Sequence, residues 1–346
     1  MNNSEENTNE IIDDIEIVDV SEDTDTATNE AAKEDEAASS VENDTNNNTD
    51  NEIEILLNED VTVDKDNHTL EPDNRKFHFT KGDKIRYVIL ALAVIIFIIS
   101  AVKLVSTFQR YKNERERNDQ IKDDVVDIED TTTTAAEDKD GQHHENINPH
   151  LNIDFDELKA INSDTVAWVD IPSLGITYPV VQHTDNDYYL EHDITHSASW
   201  SGAIYLGYEH NSNFEDDRSL IYGHRMDDGS MFANLLKYDD EDFFKTQAEN
   251  HNNYVYIYME DRVNVYEIFS ITDVYYDEHP NAFRISFPSG YTKQDFLDYL
   301  KEIELYDTGV KAFADDKLLT LYTCQGNAKT KLRHMVHTRL ITTINK

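Results

Sequence analysis

The hydrophobic pattern divides the chain into four regions, of which the first is almost entirely polar. Residues 1–80 are rich in Asn, Asp, Glu and Thr, and no aromatic side chain precedes Phe77. Such a segment buries too little apolar surface to offset the entropy of ordering it. We therefore predict a disordered tail. Two apolar islands, at 11–20 and 53–57, fit either docking motifs for a partner or, more simply, incidental apolar residues of that tail.

A continuous apolar run, IRYVILALAVIIFIISAVKLV, follows at residues 85–105. As a helix its 21 residues span about 30 Å, which is the thickness of a bilayer's hydrocarbon core. Its charged residues, Arg86 and Lys103, lie near the ends, where long side chains reach the headgroups. We predict a single transmembrane helix. Five basic residues flank it on each side, so charge alone does not set its orientation.

Residues 106–150 are charged and then rich in Thr, Asp and Glu, which is typical of a linker. His143 and His144 lie in this stretch. We interpret them as linker residues rather than metal ligands, because no cysteine or constrained carboxylate accompanies them.

Residues 151–346 have the pattern of a globular, mainly β domain. A short amphipathic helix is predicted within NIDFDELKAIN, and a second at TKQDFLDYLKEI, where Thr292 and Asp295 have capping-box spacing. Eight β-rich runs separated by turn residues predict a closed barrel or a sandwich; they are VAWVDI, ITYPVVQ, AIYLGY, SLIYGH, YVYIYM, VNVYEIFSITDVYY, KLLTLYTC and HMVHTRLITTI.

The charge and the cysteine content limit the classes of function that are compatible with the sequence. The formal net charge is −41, so a nucleic-acid partner is not expected. About half of this charge lies in residues 1–80, which carry 25 acidic and 4 basic side chains. The single cysteine, Cys324, cannot form an intramolecular disulfide and is therefore either a buried, inert thiol or a reactive one.

Three residues could form a thiol active site. Cys324 ends the predicted strand KLLTLYTC, His224 closes SLIYGH, and Arg333 follows the next loop. A nucleophilic thiol needs a group that carries its proton and a donor that stabilises the oxyanion. The chain has 14 histidines, so these features alone also fit a small buried cysteine and a structural histidine.

At these positions the chain resembles the sortases, which are membrane-anchored cysteine transpeptidases. TLYTC is similar to the TLxTC signature of that family, and IYGHRMDDGSMFANLLKY is similar to the histidine segment of its class B branch. ITYPVVQHTDNDYYLEHD resembles the N-terminal barrel segment of the same class. The resemblance covers about residues 155–341. It implies a closed sortase-type β-barrel with a short N-terminal helix and a helix inserted before the cysteine strand.

The resemblance also implies roles for individual residues. Cys324 matches the nucleophile, His224 the proton-transfer residue and Arg333 the stabilising arginine, with Arg339 and then Arg225 as alternatives for the last role. The residues that match or adjoin the substrate groove are Asn186, Tyr188, Leu190, Tyr222, Tyr322 and Gln325. Tyr322 occupies a position that is often Ser in this class, so substrate contacts there are expected to differ.

The implied function is cleavage of a secreted protein's C-terminal sorting signal after Thr, followed by transfer to an amine of a cell-wall precursor. Sorting signals similar to Asn-Pro-x-Thr-Asn are expected. The resemblance implies that the reaction requires neither a metal nor a cofactor. The resemblance implies a cytoplasmic tail (1–80), a transmembrane helix (85–105), an extracellular linker (106–150) and a catalytic domain (151–346). The alternatives are a cysteine protease that hydrolyses the same intermediate and a non-catalytic peptide-binding receptor.

Overall fold

The computed structural model describes residues 81–129, 133–324 and 331–346. The predictions for residues 1–80 and for Gln325 lie outside the described residues. The chain forms two compact units, and the boundary between them lies within the first helix. The second unit, Val94–Lys346, contains the whole barrel.

Five α-helices are present in the described residues: α1 (Lys81–Val125), α2 (Phe155–Ile161), α3 (Tyr188–Glu191), α4 (Glu241–Glu249) and α5 (Lys293–Ile303). Three 3₁₀ segments accompany them, at Pro172–Leu174, Ala233–Asp239 and Pro280–Phe283. Within the described ranges, α1 alone contains a stretch long and apolar enough to cross a membrane, and none of that stretch is buried.

Two short strand pairs precede the barrel. The strands are β1 (Val126–Ile128), β2 (Thr134–Glu137), β3 (His143–Ile147) and β4 (Leu151–Ile153). β1 pairs with β4 and β2 pairs with β3, both antiparallel.

The main structure is a closed eight-stranded barrel. Its strands are β5 (Thr165–Ile171), β6 (Ile176–Val181), β7 (Ile204–Leu206), β8 (Arg218–Tyr222), β9 (Tyr254–Tyr258), β10 (Arg262–Tyr275), β11 (Leu318–Cys324) and β12 (Leu332–Asn345). Around the barrel the order is β10-β12-β11-β8-β7-β6-β5-β9, and β9 pairs with β10 to close it. The β8–β11 and β6–β7 pairs are parallel, and the other pairs are antiparallel.

The barrel confirms the predicted fold, because its eight strands coincide with the eight β-rich runs of the sequence. Both predicted helices are also confirmed. α5 begins with the expected capping box: the Asp295 backbone N–H donates to Thr292 Oγ1 (3.1 Å), and the Thr292 backbone N–H donates to Asp295 Oδ2 (2.6 Å).

Residues 106–129 and 133–150 contain regular structure, which differs from the linker that the composition of this segment predicts. α1 continues to Val125, and the strands β1 to β3 follow. Ile121, Val125 and Ile147 are buried and pack in one apolar cluster with Trp168 of the barrel. These few apolar residues are spaced among many charged ones. The composition of the segment therefore does not indicate that it packs against the barrel.

The barrel core follows from strand alternation. Val169, Ile257, Leu321 and Val336 are buried in one cluster with the inward-facing residues of other strands. On the other side of β5 and β9, Trp168 and the strand tyrosines pack with α2 and the end of α1. A third cluster lies beneath α5. Burial on both faces makes the barrel a rigid support for residues at its strand ends.

Candidate active site

The cysteine and the histidine lie at the ends of neighbouring strands that run in the same direction. β8 and β11 are parallel, and Tyr222 is the register partner of Tyr322. His224 and Cys324 each come two residues after these tyrosines, so the register brings both positions to the same edge of the barrel. The Gly223 backbone N–H donates to the Tyr322 carbonyl (3.1 Å), which extends the strand pairing up to the histidine.

Gly223 lets this segment approach the barrel closely. A Cβ at this position would lie 2.4 Å from Ile204 Cδ1 and 2.7 Å from the ring of Phe232. Behind it, the Phe232 backbone N–H donates to the His224 carbonyl (3.0 Å) and closes the loop that follows. The position of His224 is therefore fixed from both sides.

The His224 ring has a defined tautomer. Its Nε2 lies 2.9 Å from the carbonyl oxygen of Leu190. A carbonyl only accepts, so Nε2 carries a proton and the neutral ring presents its lone pair at Nδ1. Burial lowers the pKa of His224 below its usual value, although the Leu190 carbonyl opposes this effect. The ring is consequently neutral near pH 7 and can accept a proton at Nδ1.

Arg333 is placed next to the cysteine by the strand register. In the antiparallel β11–β12 pair, Arg333 is the direct partner of Cys324. Its Nε donates to the hydroxyl oxygen of Tyr322 (2.7 Å), and its Nη1 donates to the Leu332 carbonyl (3.2 Å). These bonds orient the guanidinium at the same barrel edge as His224.

Arg339, the first alternative for the stabilising arginine, is paired with buried carboxylates instead. Its side chain is fully buried, and its Nη2 donates to Asp138 (2.9 Å) and Glu267 (3.1 Å). Asp138 belongs to the turn between β2 and β3, so Arg339 fastens this hairpin to the barrel. The backbone of Arg225, the second alternative, forms an isolated bridge with Met231 in the loop after His224.

Two predicted groove residues lie on or beside α3. Asn186 donates through Nδ2 to Glu209 Oε1 (3.0 Å) and accepts from the Tyr208 backbone N–H (3.0 Å). The Tyr188 ring lies between two histidine rings, with centroids 4.4 Å from His183 and 4.2 Å from His192. Both residues are thus held by local contacts beside the His224 segment.

Leu190 contributes through its backbone as well as its position. Its carbonyl accepts from His224, which the sequence did not suggest. Gly202 lies against α3 with a positive φ of 56°, and a Cβ there would lie 2.4 Å from the Tyr189 carbonyl oxygen and 2.8 Å from that of Leu190. Only glycine allows α3 to come this close, so Gly202 helps to place the acceptor for His224.

Tyr222 and Tyr322 form an aromatic cluster at the base of the site. Their ring centroids are 5.0 Å apart in an edge-to-face arrangement, and Tyr205 stacks on Tyr222 at 5.1 Å. Burial raises the pKa of Tyr222 and of Tyr205 well above the usual value, so both hydroxyls stay neutral. Sequence reasoning missed Tyr205 and Glu209, although both lie in or just after the predicted strand AIYLGY.

The geometry of a metal site occurs, in the described part of the chain, only at Asp239, Asp273 and His334. The ring of His334 is already engaged: its Nε2 faces the Leu235 carbonyl (3.1 Å), and its Nδ1 faces Asp273 (2.9 Å) and Asp239 (3.1 Å). Although burial alone would lower it, hydrogen bonds to the two carboxylates raise the pKa of His334 to about 9. The group is best described as a buried imidazolium between two carboxylates.

The second half of α1 contacts both segments that flank His224, which the sequence did not predict. Arg115 Nη2 donates to Asp228 Oδ2 (2.6 Å) and to the Asp228 carbonyl (3.1 Å), in the loop after His224. Arg117 forms an ion pair with Asp193, which follows α3. Among the described residues, the structure therefore brings together His224, Arg333, five of the predicted groove residues and the second half of α1.

Comparison with known proteins shows which family this chain resembles. A family model described as the Sortase domain matches residues 169–341. Sortase B of Listeria monocytogenes is 32% identical over 258 residues, covering 73% of this chain and 96% of that protein. Sortase B of Staphylococcus aureus is 24% identical over 255 residues, with the same coverage. The crystal structure of sortase B from Bacillus anthracis aligns with a TM-score of 0.53 and 27% identity, over 68% of this chain and 99% of that one.

Proposed function

Because this chain belongs to the sortase family and is class B-like, we propose that it is a membrane-anchored cysteine transpeptidase with Cys324 as nucleophile. The observation that carries the proposal is the common edge of β8 and β11, where the positions of Cys324 and His224 meet and where Arg333 is the register partner of the cysteine. A thiol, a neutral imidazole and a guanidinium can supply the nucleophile, the proton carrier and the oxyanion donor of acyl transfer through a thioester.

The first half of the proposed reaction forms a thioester. Nδ1 of His224 accepts the thiol proton while the sulfur of Cys324 attacks the threonine carbonyl carbon of a C-terminal sorting signal. Arg333 donates hydrogen bonds to the resulting oxyanion. The peptide C–N bond then breaks, and His224 passes the proton to the departing amine. Throughout this step Nε2 of His224 continues to donate to the Leu190 carbonyl.

The second half restores the enzyme. An amine of a cell-wall precursor attacks the thioester carbonyl and forms an amide bond. His224 removes the amine proton and returns it to the sulfur as the C–S bond breaks. Water in place of the amine would make the protein a protease, so the products decide between the two activities.

The proposed substrates are secreted proteins with a C-terminal signal similar to Asn-Pro-x-Thr-Asn, and the proposed acceptor is a peptidoglycan precursor amine. The proposed topology has the helical stretch 85–105 in the membrane, the acidic N-terminal tail in the cytoplasm and the barrel outside. The apolar length of α1 supports the anchor.

Thiol labelling tests the assignment of the nucleophile. Because Cys324 is the only cysteine of the chain, a methanethiosulfonate reagent should modify a single site and abolish cleavage of a fluorogenic Asn-Pro-x-Thr-Asn peptide. Cys324→Ala should be inactive with an unchanged circular dichroism spectrum. Undiminished cleavage by Cys324→Ala would overturn the proposed function.

A further inference from the structure

The side of the barrel that carries α3 also carries an exposed tryptophan next to the membrane-proximal part of α1. Trp200 is 64% exposed, whereas the other tryptophan, Trp168, is completely buried. An exposed indole leaves a large apolar surface in contact with water, which is unfavourable unless something covers it.

Trp200 is attached to α1 just beyond the apolar stretch. The guanidinium of Arg110 lies 5.9 Å from the Trp200 ring centroid. The Trp200 backbone N–H donates to Glu114 Oε1 (3.1 Å). Tyr111, between these two residues, packs against the barrel core. The position of Trp200 along the axis of α1 is therefore defined by direct contacts.

The rise of α1 per residue gives the distance between these contacts and the end of the apolar run. The apolar run ends at Val105, and α1 continues without interruption to Arg110. Five residues at a rise of about 1.5 Å place Arg110 roughly 7.5 Å beyond the end of the apolar run. The headgroup layer of one leaflet is about 5–8 Å thick. Once residues 85–105 span the bilayer, the Trp200 ring, beside Arg110, lies at the outer edge of the headgroup layer, and its backbone, beside Glu114, lies about 6 Å further from the membrane.

The chemistry of this surface fits a phospholipid headgroup layer. Tryptophan is enriched at membrane interfaces because its ring is apolar and its N–H is a donor. Phe108, on α1 between Val105 and Arg110, is 70% exposed and adds apolar area. The basic side chains of Arg115 and Arg117 are paired with Asp228 and Asp193, whereas Arg110, beside the Trp200 ring, adds a positive charge at the height of the lipid phosphates.

We propose that Trp200 and Phe108 form a membrane-interface surface that holds the α3 side of the barrel against the phospholipid headgroups. This inference rests on the proposed membrane anchor. The loop of Trp200 is continuous with the candidate site: the Ser199 backbone N–H donates to the Glu191 carbonyl (2.8 Å), and that of Ala203 donates to the Tyr189 carbonyl (3.0 Å). The groove beside His224 consequently opens next to the membrane surface.

Tryptophan quenching by headgroup-labelled lipids tests this surface, since the chain has two tryptophans of opposite exposure. The full-length protein is placed in nanodiscs of phosphatidylcholine, with or without a nitroxide spin label on the choline headgroup. The emission assigned to Trp200 should fall about twofold in the labelled lipid, because the indole lies at the height of the headgroups. Trp200→Phe, which retains only the buried Trp168, should show no quenching.

A longer helix provides a control that keeps every residue of the surface. Seven alanines inserted between Ser106 and Thr107 add almost two full turns and raise the barrel by about 10 Å on the same helix face. Quenching of Trp200 should disappear in this variant. Quenching that persists after the insertion would mean that Trp200 reaches the bilayer by another route and would overturn the proposal.

The result also separates this proposal from the proposed anchor. If the wild-type protein does not stay in nanodiscs during size-exclusion chromatography, the membrane anchor itself is wrong, and this surface with it. If the protein stays in nanodiscs and Trp200 is quenched no more than Trp168 in the Trp200→Phe variant, the anchor stands and the interface surface is wrong. A Trp200 that is unquenched by lipid and also shielded from acrylamide would indicate that another protein segment covers it.

Discussion

At the scale of single residues, the proposed mechanism depends on which nitrogen of His224 carries the proton. The Leu190 carbonyl fixes the proton on Nε2, and burial lowers the pKa of the ring. A neutral imidazole is a base that can remove the thiol proton, so the proposed mechanism requires an unprotonated His224.

This assignment predicts the acid side of the pH profile. Since burial lowers the pKa of His224, its protonation should reduce kcat/KM only below about pH 6.5, the ordinary value for histidine. The measurement is kcat/KM on the fluorogenic peptide between pH 4.5 and 8. An activity that increases as the pH falls through 6.5 would instead require a protonated His224.

Gly202 tests the role of the Leu190 carbonyl without changing any side chain of the site. A Cβ there lies too close to the carbonyls of Tyr189 and Leu190, so α3 must shift. We expect Gly202→Ala to lower kcat/KM roughly tenfold or more, equal to about 1.4 kcal/mol of transition-state stabilisation.

Gly290→Ala is the matched control for this substitution. Gly290 also has a positive φ, of 92°, but an added Cβ meets no atom within 4 Å. It shares the backbone strain and lacks the steric contact, so its activity should stay close to that of the wild type. Equal losses in both variants would mean that strain alone causes the effect.

Arg333 and Arg339 both lie in β12, and we expect substitution of the first to reduce activity and substitution of the second to reduce stability. Arg333→Lys should remain folded and lose most of its activity, because an ammonium cannot reproduce the planar set of donors. Arg339→Lys should lower the melting temperature, since Arg339 is buried between Asp138 and Glu267. Its folded fraction should keep a normal kcat. The reverse pattern would transfer the catalytic role to Arg339.

At the scale of elements, the barrel strands were predictable and the segment before them was not. The eight strands carry β-branched and aromatic residues between turn signals, and this local pattern suffices to predict them. The ion pair between Asp138 and Arg339 joins residues 201 positions apart. Such a contact leaves no periodicity in the sequence, so the hairpin of β2 and β3 resembles a linker in composition.

The same reasoning applies to the candidate site. Cys324 and His224 were candidates because each ends a predicted strand and lies in a stretch that resembles a sortase motif, and the parallel pairing of β8 and β11 then places their positions at one edge. The contact of Arg115 with Asp228 was not identifiable, because 113 residues separate the two. Local motifs thus indicate the candidate reacting groups, whereas the contacts that support them require the folded chain.

Truncation tests whether the residues before the barrel belong to the catalytic unit. A fragment of residues 146–346 loses Ile121, Val125 and the Asp138 partner of Arg339. Removing the two buried apolar side chains costs about 1.5–3 kcal/mol each. We expect this fragment to melt well below a fragment of residues 106–346, with differential scanning calorimetry as the measurement. Equal melting temperatures would show that 106–145 is a linker after all.

At the scale of the whole molecule, α1 connects the proposed membrane anchor with the segments around His224. The apolar stretch of α1 anchors the chain in the proposed topology, and its continuation contacts the segments on both sides of His224. An enzyme that acts on exported proteins at the membrane gains from a site fixed close to the bilayer. The acidic tail 1–80 has a net charge of −21, which disfavours contact with anionic lipids on the cytoplasmic side.

Mass spectrometry of the reaction products shows whether this protein transfers an acyl group through Cys324. The 106–346 fragment and its Cys324→Ala variant are incubated with an Asn-Pro-x-Thr-Asn peptide and increasing amounts of a glycine-based amine. A transpeptidase should join the peptide, cleaved after Thr, to the amine, with a yield that rises with amine concentration, and the variant should give no product. Hydrolysed peptide alone at every amine concentration, or the same products from Cys324→Ala, would rule out acyl transfer through Cys324.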